Sequence, residues 1–366
     1  MTQASKTVLF LESSKNIGGQ ELQLLQQMQE LNRLGWVTKL LCKPQARIHD
    51  FALSKGLDVQ ALGLRNALHV PSIIQVIKNI HALKPSALVC HSGHDAVIGA
   101  VAAKIVRLFH DRPRVIRMRT YQPGTPSSFT YNYLFDKTYT PSEYLRKRIL
   151  ENKKIQESKV GVLYPGIDFK KLDDAAGNLS QDLLEWVKSH HGPIISHGAM
   201  LRGEKGHATI LHALPQVIQK FPDLRYVIAG EGGAKEDLLN LVANLGLSEH
   251  VYFAGMVQPI AALIKMSDLA ILPSLMEPLG MFQIESQYLG IPTLASDVDG
   301  IPETLIHEKT GLLVRPGNSD AWAHQIIWAL THLPQMQEWA KQGSLFVKNK
   351  FSMASNTQQL LKIIQG

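Results

Sequence analysis

Residues 269–289 read Leu-Ala-Ile-Leu-Pro-Ser-Leu-Met-Glu-Pro-Leu-Gly-Met-Phe-Gln-Ile-Glu-Ser-Gln-Tyr-Leu. The first four residues form an apolar run with the length of a buried strand, and the stretch from Phe282 to Leu289 has the apolar spacing of a helix. A short loop joins the two. This order of strand, loop and helix is the repeating unit of a parallel β-sheet that is covered by α-helices.

The same alternation continues in both directions along the chain. Runs rich in Val, Ile and Leu alternate with longer amphipathic stretches, so we expect an α/β protein with two doubly wound sheets in succession. The strands expected in the first half are Val8–Leu11, Lys39–Cys42, Val59–Leu62, Ala87–Cys90, Val115–Met118, Lys137–Thr140 and Val160–Leu163. The strands expected in the second half are Pro193–Ser196, Leu224–Ala229, His250–Phe253, Leu269–Leu272, Pro292–Ala295 and Gly311–Val314.

The length of 366 residues suits two domains, since domains commonly contain roughly 100 to 200 residues. Residues 166–187 have few apolar residues at regular spacing, and we interpret them as the linker. We therefore expect an N-terminal Rossmann-like domain at 1–170 and a C-terminal Rossmann-like domain at 188–350. A final helix at 351–366 is expected to cross back to the first domain.

Composition indicates a folded protein of a reducing compartment. Hydrophobic residues make up 45% and charged residues 19% of the chain, as in globular proteins. Cys42 and Cys90 lie in apolar runs, which favours buried thiols. The first apolar stretch is shorter than a signal peptide requires, and no run of about 18 apolar residues follows. We therefore expect a cytoplasmic protein.

Charge is distributed unevenly along the chain. The net charge is +7, and residues 1–166 carry 23 Lys and Arg against 11 Asp and Glu. Such an excess suits nucleic acid, an anionic membrane surface or an acidic substrate. A nucleic-acid-binding protein is the weaker alternative, because the sequence has no alternation of aromatic and basic residues, no zinc-ligand spacing and no helix-turn-helix pattern.

Two cations follow the strand expected at Pro193–Ser196. Arg202 and Lys205 are accompanied by Gly203 and Gly206 in a loop between a strand and a helix. Arg is a bidentate partner for phosphate and Lys is a point charge, so the loop suits a diphosphate. The glycines remove bulk that would block an approaching ligand, although a solvated loop with two charges is the plainer alternative.

Glu277 and Glu285 flank the beginning of the helix that we expect at Phe282. Free N–H groups of Gly280, Met281 and Phe282 at a helix N-terminus can bind phosphate. Glu285 lies about one turn into that helix, where a carboxylate can accept both hydroxyls of a ribose, and Glu277 in the preceding loop can reach a sugar. The helix dipole alone also favours acidic residues near a helix start.

Gly18 and Gly19 follow the first expected strand and open the first expected helix. Two glycines there allow the backbone to approach an anion closely. An ordinary turn between a strand and a helix explains them equally well. The segment has neither the Gly-x-Gly-x-x-Gly spacing of dinucleotide sites nor a Walker motif.

Several segments together resemble the family 4 GT-B glycosyltransferases, which are also called group 1 glycosyltransferases. The likeness covers nearly the whole chain and is more specific in the C-terminal half. The segments that carry it are Glu277 with Glu285, Gly290-Ile-Pro-Thr-Leu-Ala-Ser, Gly300-Ile-Pro-Glu303, Thr310-Gly-Leu-Leu-Val, Val227-Ile-Ala-Gly-Glu-Gly232, Val251-Tyr-Phe-Ala-Gly255, Tyr164-Pro-Gly-Ile-Asp168 and Gly18-Gly-Gln-Glu21.

The resemblance implies a GT-B fold of two facing Rossmann-like domains with an interdomain cleft. It also implies that the N-terminal domain at 1–170 binds the acceptor and that the C-terminal domain at 188–350 binds the nucleotide sugar. It implies transfer of a sugar from a nucleotide-diphosphate donor to an acceptor hydroxyl with retained anomeric configuration, without a metal or another cofactor. By this likeness Arg202 and Lys205 neutralise the departing diphosphate, Glu285 binds the ribose and Glu277 holds the transferred sugar. The other donor-binding candidates are Gly280, Met281, Phe282, Gly18, Gly19 and Gly230.

The acceptor side departs from the family pattern. Many relatives carry a histidine after the strand that corresponds to Val115–Met118, and here Arg119 stands in its place. His91 and His94, which follow the preceding strand, are the other acceptor-side candidates. A single histidine in such a place is more often a structural residue.

Basic and apolar residues alternate around Arg112, Arg114, Arg117 and Arg119 and again from Tyr144 to Leu150. Our hypothesis is a glycan or glycolipid acceptor such as a lipopolysaccharide or lipooligosaccharide core, with peripheral contact to the inner face of the cytoplasmic membrane. Solvated helix charges are the plainer alternative. If the hypothesis holds, charge reversal at Arg146, Lys147 and Arg148 should abolish liposome binding. A nucleotide-sugar epimerase on the same fold and a catalytically silent binding module are the remaining alternatives.

Overall fold

The computed structural model describes residues 5–91, 93–108, 113–121, 124–174, 179–189 and 191–366. The chain divides into two units, each built on one parallel sheet with helices around it. The first unit comprises the chain up to Gly166 together with Met353–Gly366, and the second unit comprises Ile167–Ser352.

The strands of the first unit form a sheet with the order β3-β2-β1-β4-β5-β6-β7, and those of the second unit form a sheet with the order β10-β9-β8-β11-β12-β13. Every pairing between these strands is parallel. The strands are β1 (Thr7–Glu12), β2 (Val37–Cys42), β3 (Val59–Ala61), β4 (Ala87–Cys90), β5 (Arg114–Met118), β6 (Lys137–Thr140), β7 (Val160–Val162), β8 (Ile194–Gly198), β9 (Arg225–Ala229), β10 (Val251–Gly255), β11 (Leu269–Leu272), β12 (Thr293–Ser296) and β13 (Leu312–Val314).

Helices connect the strands and cover the sheets. The α-helices are α1 (Gly19–Arg33), α2 (Arg47–Ser54), α3 (Val70–Leu83), α4 (Gly93–Arg107), α5 (Glu143–Leu150), α6 (Phe169–Asp173), α7 (Gln181–Lys188), α8 (His207–Lys220), α9 (Lys235–Asn244), α10 (Ala261–Lys265), α11 (Phe282–Tyr288), α12 (Ser319–Thr331), α13 (Leu333–Phe351) and α14 (Met353–Gln365). Within the described part of the chain, none of the helices combines the length and the apolar character that a membrane span requires.

The two doubly wound sheets that the sequence predicts are confirmed. Each predicted strand is present among the described residues, and its ends differ from the expected ends by at most two residues. The residues Val8–Leu11 and Ala87–Cys90 are completely buried. Strands that are covered on both faces of a parallel sheet read as continuous apolar runs, which is why the pattern is so clear in the sequence.

The stretch that we interpreted as the linker, residues 166–187, is not an irregular connection. It contributes α6 and α7 to the second unit, and its residues 175–178 lie outside the described part. Ser180 caps α7 by accepting a hydrogen bond from the Leu183 N–H group, and Leu183 is buried against Val227 and Leu263. Because both helices are short, their apolar residues are too few to form a recognisable period.

Arg225 on β9 fixes the C-terminal end of α7. Its Nη1 donates to the carbonyl oxygens of Trp186 and Val187, and its guanidinium lies over the Trp186 ring. A cation at the carboxyl end of a helix stabilises the exposed carbonyl groups and the helix dipole. The buried Arg225 therefore ties this helix to the sheet of the second unit.

Helix α14 belongs to the first unit and packs against α1. The Gln27 amide donates to Asn356 Oδ1 at 3.0 Å, and the Asn356 amide donates to the carbonyl oxygen of Tyr164 at 2.6 Å. Leu360 and Ile364 lie in the same apolar cluster as the side chains of α1. The core of the first unit thus includes residues from both ends of the sequence.

Candidate active site

The candidate site of the second unit lies at the carboxyl ends of β8, β11 and β12. Strand β8 pairs with β9 on one side and with β11 on the other, so the chain order reverses there. Ligands of doubly wound sheets bind at such reversal points, outside the carboxyl ends of the strands. The loops that follow β8 and β11 carry Arg202, Lys205 and Glu277, and the helix after the second loop carries Glu285.

The loops after β8 and β11 touch each other closely. The N–H group of Leu275 donates to the carbonyl oxygen of Glu204 at 2.8 Å. Gly206 has a φ of +72°, and an added Cβ atom there would collide with the carbonyl oxygen of Pro273. Only glycine fulfils both requirements without strain, so Gly206 sets how near the two loops can come.

Lys205 and Glu277 form an ion pair across these loops. Nζ of Lys205 donates to Oε2 of Glu277 at 2.6 Å, and the hydroxyl group of Ser274 donates to the same oxygen at 3.2 Å. The side chains of Lys205 and Glu277 are 18% and 13% exposed. The structure therefore brings together two residues that the sequence analysis selected from separate motifs.

Glu285 lies in the first turn of α11. Its side chain is half-buried, and burial raises the pKa of its carboxyl group to about 7. The described residues provide it with neither a hydrogen-bond partner nor a cation. A carboxylate that is held in such a place without a partner is suited to accept hydrogen bonds from a ligand.

Arg202 is not part of the ion pair. Its side chain is 54% exposed, and its nearest charged group is the Glu204 carboxylate at 3.9 Å. Gly280 and Met281 precede α11, and Phe282 is the first residue of this helix, as expected. Gly280 has a φ of +82°, and the Gln283 amide occupies the place of a Cβ atom. Arg202 thus has the freedom to turn toward a ligand, whereas the Gly280 turn is fixed.

Two buried histidines lie beneath the Lys205 loop, and the sequence analysis missed them. His197 on β8 stacks on His207 of α8 with ring centroids 4.2 Å apart, and its Nδ1 lies 2.7 Å from the Tyr226 hydroxyl oxygen. Burial is the main cause that lowers the pKa of His197 well below its usual value and that of His207 to about 4, and the charge of Lys205 contributes to both shifts. Both rings are therefore neutral near pH 7.

Gly230, a donor-binding candidate, has a packing role. Its N–H group donates to the carbonyl oxygen of Gly255 at 2.8 Å, and a Cβ atom would collide with the carbonyl oxygen of Ala199. The loops after β8 and β9 approach each other at this point. This close approach accounts for the glycine without any ligand.

The candidates of the first unit lie near the carboxyl ends of β1, β4 and β5. Gly18 is the N-cap of α1, and its N–H group donates to Glu21 Oε2 at 2.8 Å. A Cβ atom at Gly19 would meet nothing within 4 Å.

Gln20 links two strand ends, because its amide donates to Glu12 at 2.8 Å and accepts from the Thr120 hydroxyl at 2.7 Å. The sequence analysis missed this polar chain.

The acceptor-side candidates differ in exposure. His91 is buried, and burial lowers the pKa of its imidazole to about 4. Its backbone N–H group donates to the buried Asp95 carboxylate at 3.0 Å. His94 is exposed on α4. Arg119 directly follows β5, and its N–H group donates to the carbonyl oxygen of Tyr139. His91 is therefore a neutral, structurally engaged residue, and His94 is the accessible one of the two histidines.

The basic residues around β5 do not form one surface. Arg117 is buried between the rings of Tyr131 and Phe135, and desolvation lowers its pKa to about 10. Arg114 donates to the carbonyl oxygen of Ile363 at 3.2 Å. Arg112 lies outside the described residues. The alternation of basic and apolar residues in this strand thus reflects packing at Arg117.

Comparison with known sequences gives a match for each half of the chain. The sequence profile of the family "Glycosyl transferases group 1" matches residues 185–345, and that of "Glycosyltransferase Family 4" matches residues 17–171. An uncharacterized glycosyltransferase of Methanocaldococcus jannaschii is 28% identical over 207 residues, which are 55% of this chain and 50% of the relative. The alpha-D-kanosaminyltransferase of Streptomyces kanamyceticus is 27% identical over 173 residues, which are 47% of this chain and 45% of the relative. The chain thus matches about half the length of these curated relatives.

Solved structures show the same fold over nearly the whole chain. A glycosyltransferase from Rickettsia africae has a TM-score of 0.85 and 21% identity, covering 99% of this chain and 98% of the other. Anabaena HepE in complex with UDP has a TM-score of 0.84 and 19% identity, covering 98% and 99%. The lipopolysaccharide outer core galactosyltransferase WaaB has a TM-score of 0.74 and 14% identity, also covering 98% and 99%.

Two parallel Rossmann-like sheets with surrounding helices, together with the likeness to these solved structures, give the chain the GT-B fold of glycosyltransferases. Within that class the two matching profiles narrow the assignment. The chain belongs to the group 1 glycosyltransferases, family 4.

Proposed function

We propose that the protein is a retaining glycosyltransferase that moves a sugar from a nucleotide-diphosphate donor to a hydroxyl group of a glycan or glycolipid. The ion pair between Lys205 and Glu277, together with Glu285 in the helix that follows the Glu277 loop, carries this proposal. Glu285 has no side-chain partner among the described residues. Lys205 offers a cation to the diphosphate, Glu277 offers a carboxylate to the sugar hydroxyls, and Glu285 offers one to the ribose.

The ion pair suits a donor that carries both a charge and hydroxyl groups. In the free protein Lys205 and Glu277 compensate each other at 2.6 Å. A bound donor supplies each of them with a new partner, because phosphate oxygens accept from Lys205 and sugar hydroxyls donate to Glu277. After the exchange Lys205 is paired with an anion and Glu277 accepts hydrogen bonds, so neither buried group is left without a partner.

The chemistry follows from the charges that develop when the anomeric bond breaks. The sugar becomes oxocarbenium-like and the leaving nucleoside diphosphate gains negative charge. Lys205 stabilises the leaving group from a fixed position, and the exposed Arg202 turns toward it as a second cation. We propose that these two side chains meet the developing charge without a metal ion.

We further propose that the acceptor is a surface glycan of the lipopolysaccharide or lipooligosaccharide core type, or a related glycolipid. The excess of positive charge in residues 1–166 supports a phosphorylated acceptor. The likeness in fold to WaaB is consistent with this class of acceptor. The accessible acceptor-side candidates are His94 and Arg119.

A lipid-linked acceptor requires contact with a membrane, and we propose a different surface for it than the sequence suggests. Arg146 pairs with Glu157 at 2.6 Å and with Glu143 at 3.3 Å, so its charge is already compensated. Phe129 and Tyr133 are 66% and 62% exposed, and their rings lie 5.7 Å apart. Exposed aromatic rings of this kind favour a membrane interface.

Basic residues flank this aromatic pair on two sides. A pocket of about 910 Å³ beside Phe129 and a pocket of about 290 Å³ beside Tyr133 are lined by cations. The basic residues that line them are Arg148, Lys153, Lys154, Lys104, Arg107 and Lys159. None of Arg148, Lys153 and Lys154 has an acidic partner among the described residues. Aromatic rings beside three cations without an acidic partner in the described part of the chain suit an anionic lipid surface.

The donor is tested by thermal melting with UDP-, GDP-, ADP- and CMP-linked sugars, with and without Mg²⁺, because a ligand that binds the native state raises Tm. A rise with one nucleotide family that does not depend on Mg²⁺ supports the proposal. A radiolabelled or mass-shifted acceptor then demonstrates transfer. An isomerised donor without an acceptor product instead supports an epimerase, and binding without any product supports a silent binding module.

A further inference from the structure

The turn after β12 holds the backbone of Glu277 from both sides. The Glu277 N–H group donates to Oδ2 of Asp299 at 2.9 Å. The Glu277 carbonyl oxygen accepts from the N–H group of Gly300 at 3.1 Å. Two neighbouring residues, Asp299 and Gly300, thus bind both polar backbone groups of the glutamate that faces Lys205.

The backbone at Asp299 has a conformation that favours glycine. Its φ is +51°, in the left-handed region, where residues other than glycine are uncommon and Asp and Asn are the best tolerated. Glycine would adopt this conformation with less strain, but it has no carboxylate to accept the Glu277 N–H group. The residue type at this position therefore supplies the hydrogen bond at the expense of local strain.

Gly300 shows how closely this turn presses on the Glu277 loop. A Cβ atom at Gly300 would collide with the carbonyl oxygen of Pro278. Its φ is −92°, so the requirement for glycine here is one of space and not of conformation. The backbone at Gly300 is therefore in direct contact with the backbone at Pro278. Next to this contact, the Asp299 carboxylate reaches the N–H group of Glu277.

The turn is itself anchored to the buried face of α11. The Gln283 amide donates to Thr304 Oγ1 at 3.0 Å and to the carbonyl oxygen of Leu279 at 2.7 Å. The Gln287 amide donates to the carbonyl oxygen of Thr304 at 2.9 Å. All three of Gln283, Gln287 and Thr304 are completely buried. These buried hydrogen bonds tie the segment that follows Asp299 to α11.

We infer that Asp299 is a positioning residue that fixes the backbone of Glu277 and thereby aims its carboxylate at Lys205 and at the transferred sugar. This role rests on the proposed glycosyl transfer. Because Asp299 acts through Glu277, it influences the sugar part of the donor. The nucleotide part, which we assign to Lys205 and Glu285, keeps its contacts.

Three variants separate the hydrogen bond from the strain. Asp299→Gly removes the acceptor but relieves the left-handed strain, so the two effects on Tm oppose each other and Tm should change little. It should lower kcat/KM about 10-fold or more, because the Glu277 carboxylate is no longer held in its productive position. Asp299→Asn keeps a side-chain acceptor and tolerance of the left-handed region, so it should retain most of the activity. Asp299→Ala loses both features and should fall in activity and in Tm.

The affinity for the free nucleoside diphosphate is the readout that a general structural defect would change. Isothermal titration should give the same Kd within about 2-fold for the wild type and Asp299→Gly. A loss of nucleoside diphosphate affinity equal to the loss of kcat/KM would overturn the positioning role. So would wild-type activity of Asp299→Gly.

The double variant E277Q/D299G tests whether Asp299 acts through Glu277. If it does, D299G should lower the activity of E277Q by no more than about 2-fold, because the aimed carboxylate is already lost. Full additivity would refute the inference. A wild-type protein that transfers no sugar, or unchanged turnover in E277Q, would instead contradict the proposed function.

Hydrogen exchange of the Glu277 amide needs no donor and therefore tests Asp299 independently of transfer. The exchange rate should rise at least 10-fold in D299G and remain close to the wild-type rate in D299N, since only the first loses the acceptor. Equal rates in D299G and the wild type would overturn the inference even if the enzyme proves fully active.

Discussion

Lys205 and Glu277 are 72 positions apart in the sequence, and their side chains meet at 2.6 Å. The pair joins the loops that follow two neighbouring strands of the second unit. Both side chains are mostly shielded from water, so each charge depends on the other for compensation. The pair that we assign to donor binding thus also stabilises the folded protein when no donor is bound. Mutation can separate the effect on catalysis from the effect on stability.

Lys205→Ala should lower turnover about 100-fold or more, since a fixed charge that stabilises the leaving group acts mainly in the transition state. Donor affinity should change much less. Steady-state kinetics and donor titration together provide the comparison. Small and equal effects on turnover and on affinity would speak against the role of Lys205.

The double variant K205A/E277Q is the matched control for this experiment. Lys205→Ala leaves the Glu277 charge uncompensated, which should lower Tm. Removing both charges should recover much of that stability without recovering turnover. If the double variant regains turnover along with stability, the lower turnover of Lys205→Ala is caused by a folding defect and not by the missing charge.

Glu285 predicts two pH effects with opposite directions. Its folded pKa of about 7 is raised above the ordinary value of 4.5, so the native state binds the extra proton between these values and loses stability as the pH rises through that range. Glu285→Gln should therefore melt higher than the wild type at pH 8, and the difference should shrink toward pH 5. Thermal melts at several pH values measure this.

Donor binding should respond to pH in the reverse sense. Ribose hydroxyls donate to the ionised Glu285, so nucleotide affinity should weaken as the pH falls from 8 to 6. Glu285→Gln should bind more weakly at pH 8 and lose this pH dependence. A pH dependence of binding that persists in Glu285→Gln would assign it to another group.

Gly203 and Gly206 form a matched pair in the Lys205 loop. A Cβ atom at Gly203 meets nothing within 4 Å, whereas one at Gly206 collides with Pro273 at a φ of +72°. Gly206→Ala should therefore destabilise the protein by about 2 kcal/mol or more, and Gly203→Ala should leave Tm unchanged. If Gly203→Ala also keeps full activity, the expectation that Gly203 makes room for the ligand is wrong.

The exposed rings of Phe129 and Tyr133 and the basic residues beside them predict binding to anionic vesicles. The triple variant R148E/K153E/K154E should bind phosphatidylglycerol vesicles more than about 100-fold more weakly, since each lost cation costs about 1 kcal/mol and the new carboxylates are repelled. The variant F129S/Y133S should also bind more weakly. Co-sedimentation with phosphatidylglycerol and with phosphatidylcholine vesicles measures this. The triple variant K220E/K309E/K348E has the same charge change on exposed residues of the second unit. Equal losses in both triple variants would show that only net charge matters.

The fold could be read from the sequence because its strands are buried on both faces. Runs such as Ala87–Cys90 and Leu269–Leu272 contain no polar side chain other than the small thiol, which is the signature of a covered parallel sheet. The sequence also places Lys205 and Glu277 at one edge of the sheet, because each lies after such a strand, and their roles in the reaction stay predictions. Helices α6 and α7 were missed because five and eight residues are too few to show a period.

The supporting residues of the site could not be predicted for a different reason. Asp299 acts on a backbone N–H group, and no sequence pattern records which carbonyl or amide a side chain will meet. The stacked pair of His197 and His207 joins a strand to the following helix without any periodic spacing. The sequence does not reveal that Arg146 is paired, because its partner Glu157 lies beyond the helix, in a separate turn. These contacts depend on the tertiary structure.

The first unit takes its last helix from the far end of the sequence, and this has a consequence for synthesis on the ribosome. Leu360 and Ile364 complete the apolar cluster around α1, so α1 emerges long before its covering helix exists. The second unit, which is continuous from Ile167 to Ser352, can fold while the first still exposes that face. Newly made chains should therefore need protection of α1 until residues 353–366 leave the exit tunnel, and chains that stop short of Met353 should be prone to degradation.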